Sequence, residues 1–449
     1  NIAIGESTLQ SNTTGASNLA MGLSTLQANT TGSENVSVGR DSLRSNTTAS
    51  QNTAVGFQVL YANTTGANNT ALGSQSLSSS TTGGNNVAVG NNALNSNTTG
   101  GNNTAVGYQT LYLNTTGTEN VSVGYRALDA NTTGSYNTSL GNESLGNHTT
   151  ANNHTAIGYA ASNATTTGTH NTAVGATSLY TNTTGGYNVA VGNDSLRLST
   201  TASYNTAVGY RSLYSNTTGE FNVAIGREAM EGNTTGTENA ALGANALGLT
   251  TTGALNTAVG RAALYRNVTG GSNTAVGYYA LEDSTGSGFN TALGREALTG
   301  VTTGTNNLGL GYNGGADSGV FNVTTQSDRV VVGNASITNA YIKVAWTVTS
   351  DARDKTQITP VPHGLSFVNQ LNPVSFKFKK SRQDDTPVGD VRYGFLAQDI
   401  LAIEGSDSVV IDSADADNLK YIDQNMTAIL VKAIQELKAE FDAYKLTHP

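Results

Sequence analysis

The stretch NVAVGNNALNSNTTGGN, residues 86–102, decides the fold because most of the chain repeats it. Asparagine returns every seventeen residues from Asn1 to Asn307, giving nineteen registers in which only His154 replaces it. A period this short means that each repeat is one coil of a solenoid, which cannot bury its apolar side alone. We number coil positions 1 to 17 from this asparagine and expect residues 1–311 to form a β-solenoid shaft.

The coil pattern predicts parallel β-strands with two different faces. Position 3 is always Ala, Ser or Gly, as at Ala88, and position 4 is always Val, Ile, Leu or Met, as at Val89. Neighbouring strand residues point to opposite faces, so one face is tight and the other is roomier and apolar. Leucine at position 9, as at Leu94, adds a second apolar row, broken only by Ser162 and Met230. We predict two short strands per coil, a rise of ~4.8 Å per coil and a stack of roughly 90 Å.

Glycine and asparagine mark the turns of the coil. Glycine occupies position 5 in every register, from Gly5 to Gly311, and predicts a positive φ where the chain turns between the two strands. Thr-Thr-Gly at positions 13 to 15 predicts the other turn. The asparagines at position 1 are expected to stack from coil to coil as an amide ladder that satisfies turn backbone groups.

An all-small face leaves each coil little width for a core of its own. The second face would then stay exposed unless it packs on copies of itself, so we expect a homotrimer, which also removes exposed sheet edges. The pattern N-[TV]-A-[VI]-G-x-x-[AS]-L resembles the head repeats of trimeric autotransporter adhesins and related haemagglutinin-like repeats over residues 1–311. That resemblance implies a left-handed, trimeric parallel β-roll, although the coils here are longer, with the extra residues at Asn-Thr-Thr-Gly.

Composition excludes several classes of function. The formal net charge is −9 and the sequence pI is about 5.0, without a basic stripe, so nucleic-acid binding is not expected. The chain has no cysteine and no run of eighteen apolar residues, which excludes a disulfide framework and predicts no membrane-spanning helix. We expect no cofactor and no bound metal. Because Asn1 is already in register, we also expect that a further segment precedes it.

Eleven coils carry an Asn-x-Thr sequence at position 12, which is an N-glycosylation acceptor in a secretory pathway. The alternative is that Asn-Thr-Thr-Gly is turn chemistry, repeated because the coil repeats. The eleven asparagines are Asn12, Asn29, Asn46, Asn63, Asn97, Asn114, Asn131, Asn182, Asn216, Asn233 and Asn267.

Aromatic and imidazole side chains also recur on the coils. Tyrosines at positions 6 and 10 can stack on sugars of a receptor, or they can simply cover the shaft and stack on one another. His154 and His170 fall at positions 1 and 17 and are candidates to approach each other, but without a matching acidic partner we do not expect a metal site. The tyrosines are Tyr108, Tyr125, Tyr159, Tyr210 and Tyr278 at position 6, and Tyr61, Tyr112, Tyr180, Tyr214 and Tyr265 at position 10.

The period ends after Gly311, and a connector of residues 312–349 follows. Residues 327–333 and 340–346 have the β-branched alternation of strands. From residue 350 to 449 the repeats vanish and the composition changes, which predicts a separate domain. Within it, the run FKFKKSR at residues 376–382 is balanced by Asp384 and Asp385, as expected of a solvated hairpin.

This carboxy-terminal domain opens with SDARDK at residues 350–355. Ser350 and Lys355 can form a nucleophile–base dyad, provided that burial keeps the lysine neutral. Taken alone, that spacing is weak evidence. Together with LNPVSF at residues 371–376, YGFLAQD at residues 393–399 and a terminal helix, it resembles the intramolecular chaperone domain of endosialidases and phage tail fibres, across residues 350–449.

The resemblance implies an intramolecular chaperone that assembles a trimeric β-fibre and, in many members, then cuts itself off. It places the scissile bond between Thr349 and Ser350, with Ser350 attacking the carbonyl before it and Lys355 acting as the base. Asp351 and Arg353 match the motif and are expected to orient the dyad.

The last segment predicts a helix at about residues 419–446. Leu430, Ile434, Leu437, Phe441 and Tyr444 follow the 4-3-4-3 spacing of a short coiled-coil seam for trimerisation. The alternative is an amphipathic helix that packs on its own domain. A trimer cap suits this chain, because identical coils permit slips by whole repeats without changing a side-chain face.

These observations predict a trimeric, extracellular fibre of a virion or phage tail that attaches to a host-surface glycan or protein receptor. Its only enzymatic activity would be a single self-cleavage. The alternative is an extracellular filament or cell-surface adhesin that retains an uncleaved trimerisation cap; a terminal helix where an autotransporter carries its membrane domain favours the fibre. A glycan-cleaving spike is not expected, because the shaft lacks paired carboxylates at consistent positions.

Overall fold

The computed structural model describes residues 1–317, 320–337, 340, 341, 343, 350–382, 384–405, 408–413, 416 and 419–448. The chain divides into two compact units, one of Asn1–Gly311 with Val323–Val330 and the other of Tyr312–Asn322 with Val331–Pro449. Thr349 and most of the strand predicted at residues 340–346 lie outside the described residues.

The first unit is a parallel β-solenoid, as the period predicts. Each coil contributes one three-residue strand at positions 2 to 4, and consecutive strands pair in parallel, with Ala3 opposite Ala20 and Ala88 opposite Ala105. The strands are β1 (Ile2–Ile4), β2 (Leu19–Met21), β3 (Val36–Val38), β4 (Thr53–Val55), β5 (Thr70–Leu72), β6 (Val87–Val89), β7 (Thr104–Val106), β8 (Val121–Val123), β9 (Thr138–Leu140), β10 (Thr155–Ile157), β11 (Thr172–Val174), β12 (Val189–Val191), β13 (Thr206–Val208), β14 (Val223–Ile225), β15 (Ala240–Leu242), β16 (Thr257–Val259), β17 (Thr274–Val276), β18 (Thr291–Leu293) and β19 (Leu308–Leu310).

The core of the coil lies between position 3 and position 9. Ala88 and Leu94 are both fully buried, and the same holds for nearly every coil. The large apolar residues at positions 2 and 4 point outward instead, so that Val87 is 37% exposed and Leu242 is 49% exposed. The roomier apolar face predicted from the sequence is therefore the outer face of the sheet.

The prediction of a second strand in each coil is wrong for the described residues. Positions 6 to 11 form turns, and the backbone is left-handed at positions 7 and 9, with φ of 58° at Asn92 and 51° at Leu94. An extended strand requires negative φ at each residue, so alternating left-handed residues cannot join a ladder. The leucine row is apolar and buried as predicted, but it lies on a curled segment.

Glycine at position 5 has the positive φ that the sequence predicts, for example 136° at Gly22. A Cβ on Gly22 would lie 2.7 Å from the carbonyl oxygen of Gly39 in the next coil. Both the backbone angle and the close approach of the next coil exclude a side chain here. The turn leads out of the strand into the curled segment.

The predicted asparagine ladder is confirmed. The Asn103 backbone amide donates to Asn86 Oδ1 at 2.9 Å, and Asn103 Nδ2 donates to the Gly117 carbonyl at 2.9 Å. A second ladder at position 12, which the sequence analysis did not foresee, runs beside it: Asn114 Nδ2 donates to Asn97 Oδ1 at 2.8 Å and to the Gly117 carbonyl at 3.1 Å. Two rows of buried amides thus close the Thr-Thr-Gly turn.

Strand pairing continues past Gly311, where the period ends. The Leu308 amide donates to the Arg329 carbonyl at 2.8 Å. The Arg329 amide donates to Asn307 Oδ1 at 3.0 Å, a bond that spans 22 residues where the equivalent bond in the periodic coils spans 17. Strand β22 (Val330–Val332), predicted within residues 327–333, joins the sheet beside β19. The extra residues hold a small hairpin, β20 (Ala316–Asp317) and β21 (Phe321–Asn322).

The second unit is a small α+β domain around a core that includes Phe367, Ile400, Val410, Met426 and Ile429. The solvated hairpin predicted near residues 376–382 is present as the β23–β24 pair. The elements are a 3₁₀ helix (Ala352–Asp354), α1 (Leu365–Val368), β23 (Val374–Ser381), β24 (Asp384–Gly394), α2 (Ala397–Glu404), β25 (Ile411–Asp412), β26 (Lys420–Tyr421) and α3 (Asp423–Thr447).

Candidate functional site

The structure brings together the two residues predicted as a dyad. Asp351 caps the short 3₁₀ helix by accepting the Arg353 backbone amide at 2.9 Å. That single turn returns the chain on itself, so Lys355 Nζ donates to Ser350 Oγ at 2.7 Å. The nucleophile and the base of a serine–lysine dyad need this reach.

Asp351 and Arg353 lie beside the dyad and hold its turn. Arg353 Nη2 and Asp351 Oδ2 are 2.5 Å apart, and Arg353 Nε donates to both carboxylate oxygens at 3.1 Å. The Arg353 guanidinium, followed by its backbone amide, lowers the pKa of Asp351 below its usual value. These side-chain contacts join the two residues to each other, and the orienting role predicted for them stays a prediction.

The dyad is solvent-exposed in the described structure of the chain. Ser350, Lys355 and every residue between them are exposed. A protonated lysine donates to the serine oxygen, whereas a base must accept the serine proton, and desolvation is what favours the neutral amine. The described residues of the chain therefore supply the geometry of the dyad without the burial that would activate it. Thr349, on the other side of the predicted scissile bond, lies outside the described residues.

Helix α3, predicted at about 419–446, begins at Asp423 and presents two different stripes. Met426, Ile429 and Ala433 are buried on the domain itself. The residues of the predicted seam form a separate stripe that is exposed. The helix packs on its own domain through the buried residues instead, so the seam residues are not used for that packing. The members of the stripe and their exposed fractions are Leu430 (42%), Ile434 (66%), Leu437 (53%), Phe441 (54%) and Tyr444 (59%).

Polar contacts fix α3 in its domain. Glu436 Oε2 accepts the Leu365 backbone amide at 2.7 Å and so caps α1, which has no side-chain cap of its own. Lys432 Nζ donates to the Val361 carbonyl at 2.6 Å. Because these bonds hold the inner face of α3, the outer stripe is presented in a fixed orientation on this domain.

The predicted surface tyrosines make contacts from coil to coil. Tyr108 stacks on Tyr125 with ring centroids 5.4 Å apart, and the Arg197 guanidinium lies 6.0 Å from the ring centroids of both Tyr180 and Tyr214. These contacts are the ones expected if the tyrosines cover the shaft and pack on neighbouring coils. Receptor binding by these rings stays a prediction.

Sequence analysis missed a longer aromatic ladder at position 17. His170, Tyr187, Tyr204 and Phe221 stack in order, with centroid distances of 4.8, 5.1 and 5.0 Å and rings within 6° of parallel. The signal was available, since these rings are spaced by the period. Stacking hides their faces and leaves mainly their edges to solvent.

The asparagines of the predicted glycosylation sequences form the second buried ladder. Asn46 and Asn114, for example, are fully buried, and the Nδ2 atom of each donates two hydrogen bonds. A glycan on Nδ2 would replace one of those hydrogens inside the ladder, so the folded coil has no room for it. Glycosylation stays a prediction, which intact mass would test; this geometry favours the turn-chemistry alternative.

The histidines pair differently from the sequence prediction. His154 contacts His148, with ring centroids 4.8 Å apart, while His170 stacks on Tyr187 and lies 3.3 Å, Nε2 to Nδ2, from Asn153. Within the described part of the chain, no group of three or more His, Cys, Asp or Glu side chains could hold a metal ion. No described helix is both long and apolar enough to cross a membrane.

Comparison with known proteins assigns part of the second unit. The peptidase family described as chaperone of endosialidase matches residues 350–410, which include the dyad, the β23–β24 hairpin and α2. Neither a search of curated proteins nor a search of solved structures returned a match. The predicted resemblance of residues 1–311 to autotransporter heads therefore rests on the repeat motif alone.

Proposed function

We propose that this chain is a homotrimeric fibre protein of the viral or phage tail-fibre type, extracellular and carried on the virion surface. Its shaft would present a repeated surface to a host glycan or protein receptor. The carboxy-terminal domain would drive trimerisation and folding. One observation carries the proposal: a domain that matches the chaperone of endosialidase follows a 20-stranded sheet whose coils are parallel and in register.

Two exposed apolar surfaces support the trimer. The first is the outer strand face, where positions 2 and 4 leave residues such as Val223 and Leu293 41% and 52% exposed. The second is the outer stripe of α3. Apolar rows of this length are normally covered by a partner. Because a slip by one coil leaves every shaft contact nearly unchanged, a separate trimerising domain is the physical means of fixing the register.

We also propose that the domain cleaves the chain between Thr349 and Ser350. Lys355 would accept the Ser350 hydroxyl proton while Oγ attacks the carbonyl carbon of residue 349. The nitrogen of Ser350 then takes that proton from Lys355 as its bond to the residue 349 carbonyl carbon breaks, leaving a free amine and an ester on Ser350 Oγ that water hydrolyses. Because the dyad of one protomer is exposed, burial of Lys355 on assembly would be required first.

Denaturing electrophoresis with intact mass tests cleavage. Wild type is expected to yield a fragment that begins at Ser350, whereas Ser350→Ala stays intact. Thr356→Ala, an equally exposed position next to the dyad, is the matched control and is expected to cleave like wild type. A wild-type trimer of intact chains would contradict the proposed cleavage and leave Lys355 with a structural role.

The exposed dyad also supports a second candidate function. If the domain is never cut off, it would serve as a permanent trimer cap on an extracellular filament or a cell-surface adhesin. The same experiment separates the two, because the second candidate requires full-length chains in a trimer. Trimer mass in native conditions then distinguishes a cap from an unassembled chain.

A further inference from the structure

Two buried histidines interrupt the amide ladders in the middle of the shaft. His148 occupies position 12 of one coil and His154 occupies position 1 of the next. His148 is 0% exposed and His154 is 1% exposed, as buried as the asparagines that stand at the corresponding positions of neighbouring coils. A buried imidazole can gain a proton, which an amide cannot, so this pair brings titration into a ladder that elsewhere does not titrate.

The hydrogen bonds of the pair assign its neutral form. His148 Nε2 lies 2.8 Å from the Ala151 carbonyl oxygen, and His154 Nε2 likewise bonds the Gly168 carbonyl oxygen. A carbonyl only accepts, so both Nε2 atoms carry hydrogen and both Nδ1 atoms are bare. Both Nδ1 atoms are buried and have no hydrogen-bond partner in the described structure.

Among the described residues, no group that acts on the pair by its charge can balance a positive charge. One register before His148 and His154 the corresponding residues are Asn131 and Asn137, and one register after them they are Thr165 and Asn171. None of these four titrates. The charged groups that act on the pair are the two histidines themselves and His170, all of which would be cationic when protonated. Two buried imidazolium rings 4.8 Å apart would therefore repel each other without a counter-ion.

The coil that begins at His154 lacks the buried leucine or methionine found at position 9 of the other coils. Ser162 stands where other coils have leucine or methionine at position 9, and it is 1% exposed. Its hydroxyl lies 2.6 Å from the Thr165 hydroxyl, so the polar group is satisfied, but the burial of a leucine side chain is lost. A coil that buries less apolar surface opens more readily than its neighbours.

We propose that residues 145–171 form an acid-labile joint in the shaft, which opens locally when His148 and His154 gain protons. The joint is independent of what the shaft binds and of whether the chain is cleaved. In acidic surroundings the shaft would yield here first, while the coils on either side, whose ladders are amides, stay closed.

The pKa values of the two histidines determine how the stability of the closed coil changes with pH. Burial lowers the pKa of His148 from 6.5 to about 4, and burial together with the neighbouring His148 lowers the pKa of His154 to about 3. An opened coil binds protons near pH 6.5, so the closed state loses stability as pH falls from about 6.5 toward 4. Between pH 7.5 and 5.0 the opening equilibrium should rise roughly 30-fold for each histidine, and on the order of several hundredfold for both.

Hydrogen exchange with mass spectrometry on the full-length chain tests the joint. Exchange at pH 7.5 and 5.0, corrected for the intrinsic rate, is compared between peptides of residues 145–171 and reference coils of residues 36–72. We expect opening to rise in the first set and stay within a few-fold in the second. Equal behaviour of the two sets would overturn the proposal.

Variants keep the test decisive. The double substitution His148→Asn and His154→Asn restores the residue found at these positions in neighbouring coils, so it should fold and abolish the rise. His170→Asn, which changes the exposed histidine at position 17, should keep the rise. If the double variant still opens at pH 5.0, the acid sensitivity has another source and the joint is excluded.

Discussion

At the scale of single residues, leucine at position 9 holds a backbone conformation that bulky side chains normally avoid. Its φ is 50° at Leu111, and the side chain is fully buried. The left-handed backbone costs roughly 1–2 kcal/mol, while burying a leucine contributes about 2 kcal/mol. The residue therefore stays only because its side chain fills the coil, which makes the leucine row sensitive to truncation.

We expect Leu111→Ala to destabilise the shaft by about 2–5 kcal/mol, because it opens a cavity while the backbone cost remains. Leu113→Ala, two residues along the same coil and 43% exposed, should change stability by no more than about 0.5 kcal/mol. Urea unfolding followed by circular dichroism measures both. Equal effects of the two substitutions would contradict the assignment of Leu111 to the core.

At the scale of elements, the seventeen-residue period correctly predicted the features that repeat from coil to coil. It did not predict the backbone conformation within a coil. The strands at positions 2 to 4 and the ladder through Asn86 and Asn103 follow from register alone. The prediction of a second strand was wrong, because an apolar residue in the sequence does not show whether the backbone at Leu94 is extended or has a positive φ. The ladder through Asn114 was not predicted, because Asn-Thr-Thr-Gly suggested only a glycosylation acceptor or a turn, and neither implies contacts between coils. The Ser350–Lys355 contact was predicted from a motif, whereas its exposure depends on packing that a motif does not encode.

The outer stripe of α3 yields a prediction about assembly. Ile434→Asp places a charge in the centre of the exposed apolar stripe and should dissociate the proposed trimer, because a charge in a coiled-coil seam must be desolvated. Ala439→Asp, on the same helix but outside the stripe and also exposed, should leave the proposed trimer intact. Sedimentation velocity gives the mass of each. A trimer that survives Ile434→Asp would show that α3 contributes no seam.

At the scale of the whole molecule, the equivalence of the coils means that the shaft should tolerate the loss or gain of whole coils. It should not tolerate a change that shifts the seventeen-residue register. Each coil contacts mainly its two neighbours, so stability is close to a sum over coils and interfaces. Val38 pairs with Val55, and Val55 pairs with Leu72, in the same register. A chain from which one complete coil is removed can therefore form the same contacts, whereas a partial coil would rotate every later residue away from the core.

We accordingly expect deletion of residues 52–68, one whole coil beginning at Asn52, to leave the fold and the proposed trimer unchanged. Deletion of residues 52–60 alone breaks the phase and joins Gln51 to Tyr61, which puts polar residues where Ala71 and Leu77 are now buried. Circular dichroism and native mass report both outcomes. The whole-coil deletion should lower the melting temperature only slightly, because it removes one interface among many, while the partial deletion should abolish cooperative unfolding. Equal loss of structure in both would mean that the coils are not interchangeable and that this segment has a role of its own.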